Sequence, residues 1–414
     1  MDNLKYCVGE RVFMLDCARK YFTPAFIKRL IDEICEVGFN AINIHFSEEM
    51  GMRLESKQYP WLAGADHTLC TFGPENGMAE NDGKFITQDE MREIVLHARS
   101  RGVDVIPSLD SPGHMTYIVK KYNEHFGKDI GNYFHKHGKV ALVQSTGENG
   151  ETPRFPYSRG IDISNPDALE FVKSLYVEYG KFFFELGCTS FDIGGDELLG
   201  WGTDGSIDKT LPKWQNLDHW QEYARRVSGE PSAVAFDAFV FYMNGIAELL
   251  RSLGYKSIRM WNDDAYRFCD TGWQERVKLD RGIDIQYWSP HTNDGENTAL
   301  FYIERGHNLY NFTRLYTYYT LYPDKPASYA TPEAILNEWN PYVFAPNGSV
   351  CDDGMNTYIF PPFKSGNVIS APNERVLGAG FCLWCDTPAR ESEDELLENM
   401  RPYFTAIAKK ATGN

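Results

Sequence analysis

Ser190-Phe191-Asp192-Ile193-Gly194-Gly195-Asp196-Glu197 is a short apolar run that stops on two glycines and two adjacent acids. A strand ending in neighbouring carboxylates sets both at one rim of a sheet, with their side chains pointing different ways. They can therefore do different jobs. Immediately upstream, Asp167 to Leu186 carries a helical apolar pattern that opens from the Ser164-Asn165-Pro166 segment, a standard N-terminal signal. A helix delivering the chain into a short buried strand is half of a crossover unit in a parallel sheet.

The same rhythm extends in both directions. Upstream lie strand Val12 to Leu15, a helix opened by Thr23-Pro24 with Phe26, Leu30, Ile31 and Ile34 on one face, strand Ala41 to Phe46, helix Gln88 to Arg101 and strand Val103 to Leu109. Downstream lie helix Ala235 to Leu253, strand Ser257 to Trp261, a short helix near Gln274 to Leu279, strand Ile283 to Trp288, strands Asn308 to Phe312 and Gly378 to Trp384, and a closing helix from Ser392. Eight such strands without a Ser/Gly/Pro-rich linker predict an α/β fold, a (β/α)₈ TIM barrel, as one catalytic domain over 1–414. Long irregular insertions, Glu48 to Phe85, Asn132 to Tyr157, Gly200 to Gln221 and Tyr322 to Asn373, all follow strand ends. They fall on the C-terminal face, where barrels build their sites.

Acids outnumber bases, 58 to 41, for a net charge of −17. That excess repels phosphate backbones and anionic lipid. Neither nucleic acid nor membrane is an expected partner. Aromatic residues make up 14% of the chain. Flat apolar rings are what sugar faces stack against. Nine cysteines in no framework spacing predict reduced thiols, and the lone Cys382-x-x-Cys385 is read as packing. Met1 to Lys5 shows no secretory pattern and no apolar run approaches membrane-spanning length. The chain as it stands is expected to be cytoplasmic, or secreted or at the cell surface if it is a piece of a longer protein.

Two acids with divided labour fit glycoside hydrolysis, where one protonates the departing oxygen and the other manages positive charge at the sugar carbon. Their adjacency suits an enzyme whose second acid acts on something other than that carbon. The alternative reading, a surface Asp-Glu pair after a strand, is common.

Five segments bear on that choice: Asp16 to Phe22, Ile44 to Arg53, Ile106 to His114, Gly194 to Glu197, and Leu383 to Asp386. Each lies at a predicted strand end. Taken in order, they resemble glycoside hydrolase family twenty, the β-N-acetylhexosaminidases and lacto-N-biosidases, over almost all of the chain. The resemblance implies that the substrate's own 2-acetamido oxygen attacks the anomeric carbon to give an oxazolinium ion. Glu197 would be general acid, then base, and Asp196 would hold the acetamide nitrogen. His114 with Glu48, where the family more often has Asp, would tune Glu197 through a hydrogen-bonded relay. Protein nucleophile, metal and cofactor are all unnecessary to that mechanism.

For substrate binding, the resemblance implies that Arg19 grips the 3- and 4-hydroxyls. Trp261, Trp288 and Trp384 would wall the sugar and its acetamide methyl. Tyr318 would donate to the acetamide oxygen, with Tyr316 and Tyr319 within reach of the same role. Asp386 stands where many members carry Glu on the 4- and 6-hydroxyls; the shorter side chain opens room in the pocket. The family's small N-terminal α+β domain has no counterpart in this sequence, which bears only on assembly, and the oligomeric state is left open.

Of the lesser signals, His135-Lys136-His137 lacks the company a metal site needs. Asn311-Phe312-Thr313 and Asn347-Gly348-Ser349 match the glycosylation pattern, relevant only in a eukaryotic secretory route. The expected activity is a retaining exo-β-N-acetylhexosaminidase acting on terminal N-acetylglucosamine of oligosaccharides. The alternatives are a lacto-N-biosidase releasing galactosyl-N-acetylglucosamine and a non-catalytic sugar-binding barrel.

Overall fold

The computed structural model describes residues 6–132, 158–198, 217–268, 271–288, 297–323, 326–345, 350–352, 357–359 and 366–413. Residues 133–157 and 199–216 of two insertions, His135-Lys136-His137 and Asn347-Gly348-Ser349 lie outside the described residues. Eight parallel strands close into a barrel: β1 (Glu10–Asp16), β2 (Ala41–His45), β3 (Asp104–Ser111), β4 (Ser190–Gly194), β5 (Ser257–Trp261), β6 (Ile283–Tyr287), β7 (Leu309–Asn311) and β8 (Val376–Trp384). Closure is direct, since Phe13 of β1 stands opposite both Ile42 of β2 and Phe381 of β8. All eight expected strands are present within a few residues of their anticipated ends.

The period-two alternation of the strands sorts their side chains into two layers. Phe13, Leu15, Ile42, Ile44, Phe191, Ile193, Ile258, Met260 and Phe381 face outward and pack under the helices. Val12, Met14, Ala41, Ile106, Trp261, Tyr310, Phe312 and Cys382 fill the interior. Helix Pro24–Val37 starts on Thr23, whose hydroxyl accepts from the Phe26 amide, and helix Glu393–Thr412 starts on a reciprocal Ser392–Glu395 capping box. The latter sets Phe404 against Phe13 and Phe381, 5.8 and 6.1 Å between centroids, and so covers the seam where the barrel closes.

At the N-terminal end of the barrel, Arg259 donates to both oxygens of Glu10 at 2.8 and 2.9 Å and lies 4.0 Å over the Tyr310 ring. Asn43 donates to Asp192 at 2.8 Å one layer above. These contacts pair polar groups within the protein and mark the floor as a stability element, although Asn43 Oδ1 and Arg259 Nη1 are left without a partner. Among the described residues no helix is long and apolar enough to cross a membrane.

Two expectations need correcting, and the Asn311 motif keeps its bland reading. Residues 274–279 form no helix, and none joins β5 to β6 among the described residues. Six residues without an N-cap cannot offset the cost of nucleation. Glu275 is left-handed (φ 52°), and the Val277 amide is taken by Asp237. Asn311 is no glycan acceptor, being fully buried in β7 with its amide on the carbonyls of Pro341 and Val343. The segment between β7 and the insertion that begins at Tyr322 also supplies a ninth strand, Tyr318–Thr320, paired parallel with the far end of β8.

Interior packing depends on small residues opposite large ones. A Cβ at Gly380 would lie 2.2 Å from Phe312 and 2.5 Å from the Val12 carbonyl, which is backbone and cannot step aside. Gly380→Ala is expected to cost about 3 kcal/mol through overpacking. Gly245 lies in a helix with nothing within 4 Å of an added Cβ. Gly245→Ala is expected to add about 0.5–1 kcal/mol. Urea midpoints of the two variants moving in opposite directions would check the packing; equal midpoints would contradict it.

Candidate active site

β4 ends on Gly194 (φ 65°) and Gly195 (φ 87°). Only glycine makes such a turn freely. Their neighbours also leave no room for side chains. A Cβ on Gly194 would overlap Asp110 Oδ1 at 1.7 Å, and one on Gly195 would lie 2.6 Å from Met243. Glu197 is itself left-handed (φ 44°). That arrangement costs a non-glycine residue about 1–2 kcal/mol. Two acids from the end of β5 hold it there: Asp263 accepts the Glu197 amide at 3.0 Å and Asp264 the Leu198 amide at 3.1 Å. Asp264 is in turn anchored by Arg267 at 2.7 Å.

The two acids diverge as the strand geometry requires. Asp196 is 9% exposed, and its buried Oδ1 has no hydrogen-bond partner. Glu197 Oε2 accepts from Arg159 Nη2 at 2.9 Å. His114 stands beside both, its Nε2 lying 3.6 Å from Glu197 and 3.7 Å from Asp196. On its other side, Nδ1 meets Glu48 Oε2 at 2.7 Å and Glu49 Oε2 at 3.2 Å. Glu48 thus occupies the expected relay position, shared with Glu49.

Arg19, at the end of β1, is engaged from every nitrogen. Its Nη1 donates to Asp16 at 2.8 Å, Nη2 to Glu48 at 2.9 Å and Nε to Glu49 at 2.9 Å. Such charge-assisted bonds are the strong ones. Although burial works the other way, Arg19 holds the Glu49 carboxyl well below the usual range. Glu48, Glu49 and His114, and likewise His45, Glu48 and Asp110, each bring three potential metal ligands together. Arg19 already supplies the positive charge that Glu48 and Glu49 require. In this structure Arg19 organises those acids, and its guanidinium also lies 5.6 Å over the Trp384 ring.

Trp288 stacks nearly parallel on Tyr318 (6.2 Å, 12°), Tyr318 leans on Trp384 (5.9 Å), and Trp384 on Trp261 (6.0 Å). Three rings from strand ends and Tyr318 from the start of the ninth strand make one continuous wall. Trp288 Nε1 donates to Asp263 at 3.0 Å, which ties the wall to the segment carrying Glu197. The three tyrosines point in different directions. Tyr316 turns to Glu338 at 3.2 Å and Tyr319 to Glu391 at 3.3 Å, whereas Tyr318 faces the wall and Asp196.

Carboxylates outnumber cations at this rim. Burial, helped by Asp110, pushes the Asp196 carboxyl well above its ordinary range. Burial raises Asp110 to about 6 against the pull of His114, and raises Asp263 to about 7 with help from Asp264 and Glu197. Asp386, just past β8, is pushed up to about 7 by burial despite Arg19. A site in this state favours an added proton or a cation.

Every expected site residue therefore lies at the C-terminal rim. Four that matter were not among the expectations. Asp263, Asp264 and Glu49 each follow a strand end or a quoted motif, so the rule that found Asp196 could have found them. Arg159 sits far from any strand end, and nothing in its spacing marks it. Cys382 and Cys385 belong to different packing layers and form no paired site.

The sequence profile described as "Glycosyl hydrolase family 20, catalytic domain" matches residues 10–410. A beta-hexosaminidase of Vibrio furnissii is 36% identical over 96% of this chain, and a lacto-N-biosidase of Bifidobacterium bifidum is 25% identical over 75% of it. The chain spans 56% of the first relative and 22% of the second. Among solved structures, Dispersin B superimposes with a TM-score of 0.64 at 22% identity, covering 97% of this chain and 99% of its own. The beta-N-acetylhexosaminidase of Bacteroides fragilis superimposes with a TM-score of 0.63 at 22% identity, covering 97% of this chain and 66% of its own. These two likenesses establish the shared fold.

The raised Asp386 carboxyl makes a stability prediction with a definite sign. A carboxyl of ordinary pKa 3.8 held near 7 in the folded state binds its proton more tightly when folded, so its contribution is lost as pH rises from about 4 to 7. Asp386→Asn is expected to gain about 1–2 kcal/mol over the parent at pH 8, after discounting for partial solvent access, and little at pH 4. Thermal melts at the two pH values check this; the same offset at both would contradict it.

Proposed function

The chain belongs to glycosyl hydrolase family 20, and from that footing we propose that it is a retaining exo-β-N-acetylhexosaminidase. Its substrates are oligosaccharides ending in β-linked N-acetylglucosamine. One observation supports this most: the buried, partnerless Asp196 Oδ1 beside a separately directed Glu197 carboxylate. An unpaired buried acceptor is costly unless a ligand donor fills it, and an acetamide N–H is such a donor.

The steps follow from where the groups stand. The sugar ring lies along the wall of Trp261, Trp288 and Trp384. Asp196 Oδ1 accepts the acetamide N–H, and the Tyr318 hydroxyl donates to the acetamide oxygen, aiming it at the anomeric carbon. Glu197 protonates the glycosidic oxygen as that bond breaks, and the acetamide oxygen closes a five-membered oxazolinium ring on the opposite face. Positive charge now spreads over the amide, next to Asp196 in a rim short of cations, where it is stabilised more than the neutral ground state was. Glu197, ionised by its donation, then takes a proton from a water attacking the anomeric carbon. The ring reopens, and the two inversions amount to retention.

Asp386 favours a second reading, a lacto-N-biosidase. One methylene fewer than glutamate at the pocket end leaves space for a further sugar. The two readings separate in one assay: nitrophenyl β-N-acetylglucosaminide is expected to turn over and the nitrophenyl lacto-N-bioside not. The reverse pattern would transfer the assignment to the second reading. A thiazoline mimic of the oxazolinium is expected to bind at least about 100-fold more tightly than the substrate, as intermediate mimics do. Binding no tighter than N-acetylglucosamine would overturn acetamide participation.

A further inference from the structure

Between the relay and the acid stands a residue that the steps above do not use. His114 Nε2 and Glu197 Oε2 are 3.6 Å apart, and Arg159 Nη2 bridges them at 3.0 and 2.9 Å. The direct separation is too long for a good hydrogen bond. The bridge is built in. The Arg159 carbonyl accepts the Met115 amide at 2.8 Å, next to His114, and the Ile161 amide donates to Pro112 at 3.0 Å. Between them Gly160 lies so close to Pro112 that a Cβ would meet its carbonyl at 2.6 Å. The Arg159 side chain is only 15% exposed and that of Glu197 18%.

A guanidinium stays charged across the working pH range, so while Arg159 occupies Oε2 the neighbouring carboxyl is held ionised. An ionised Glu197 cannot protonate a leaving group. Arg159 Nη2 contacts the same carboxyl that must reach the bridging oxygen, which sets it close to the bond that breaks. We propose that Arg159 is a positioning residue: it holds Glu197 ionised and aimed in the empty site, and the leaving-group sugar draws it off Oε2 onto its own oxygens, freeing Glu197 to take a proton from solvent water and then donate it to the glycosidic oxygen. When the aglycone departs, Arg159 returns to the Glu197 carboxylate that the first step has produced. Charged groups near Glu197 include His114 from the β3 loop, Asp196 from β4 and Asp263 from β5, with Asp264 on the neighbouring Leu198 amide. All but His114 are acids, so Arg159 is the fixed positive charge that opposes them.

The inference rests on the proposed activity, and one experiment keeps the two apart. The kcat/KM of the parent, Arg159→Ala and Arg159→Lys is measured against pH on nitrophenyl β-N-acetylglucosaminide and on a β-linked N-acetylglucosamine disaccharide. No turnover of either substrate by the parent would fail the activity itself. With an active parent, Arg159→Ala is expected to move the alkaline limb up by about 1 pH unit or more, because Glu197 then keeps its proton longer. It is also expected to lose at least about 10-fold more on the disaccharide than on the nitrophenyl substrate, which has no sugar for Arg159 to hold. Arg159→Lys is expected to restore the limb and part of the loss. An alkaline limb that stays in place in Arg159→Ala, or equal losses on both substrates, would overturn the proposal. Because the Arg159 backbone makes the structural bonds, melting temperatures within a few degrees of the parent are expected for both variants, and a collapse in both would reassign Arg159 to stability.

Discussion

Negative charge buried in excess of positive charge is the constraint around which this rim is arranged. Asp110, Asp196, Asp263 and Asp386 are withdrawn from water with too few cations to balance them, and their carboxyls are held above the ordinary range. Where a cation is supplied, it serves orientation. Arg19 binds three carboxylates and does not reach Asp196, whose Oδ1 is left without a partner where an amide would acquire positive charge. An electrostatic field prepared before the substrate arrives needs no reorganisation when charge develops.

The floor and the rim of the barrel solve opposite problems. At the floor, Glu10 accepts from Arg259 Nη2 and from the Tyr310 hydroxyl, and the guanidinium lies over the Tyr310 ring, so the charges there are paired within the protein. At the rim, two left-handed non-glycine residues, Glu197 and His114, and a partnerless oxygen on Asp196 are retained. Strain and unsatisfied bonding persist there because strong local contacts hold them: Asp263 and Asp264 on the backbone of one segment, Glu48 and Glu49 on the ring of the other.

Why some of this could be read from sequence and some could not follows from the same geometry. Barrel topology brings every strand end to one rim, so a polar or aromatic residue at a strand end is placed without any knowledge of contacts. Asp196, Glu197, Trp261, Trp288 and Trp384 were legible on that basis, and Asp263 with Asp264 carried the same signal. Tyr318 required the register of a short ninth strand, which three neighbouring tyrosines leave undetermined until Tyr316 and Tyr319 are seen turning away. The residues at 274–279 look helical because Gln, Glu, Arg, Lys and Leu are good helix formers, but a tertiary bond from the Val277 amide to Asp237 outweighs a weak local preference. Arg159 follows an insertion and lies far from any strand end, where position along the chain says nothing about position in space.

The central claim is that the substrate's own amide, steered by Asp196, is the nucleophile. The most direct measurement is kcat/KM across nitrophenyl glycosides whose N-acetyl group carries none, one, two or three fluorines. Each fluorine withdraws electrons from the amide oxygen and leaves the leaving group untouched. If that oxygen attacks the anomeric carbon, the logarithm of the rate falls steadily along the series, by orders of magnitude from first to last. A rate independent of fluorine number would mean that some other group attacks, and the account would fail.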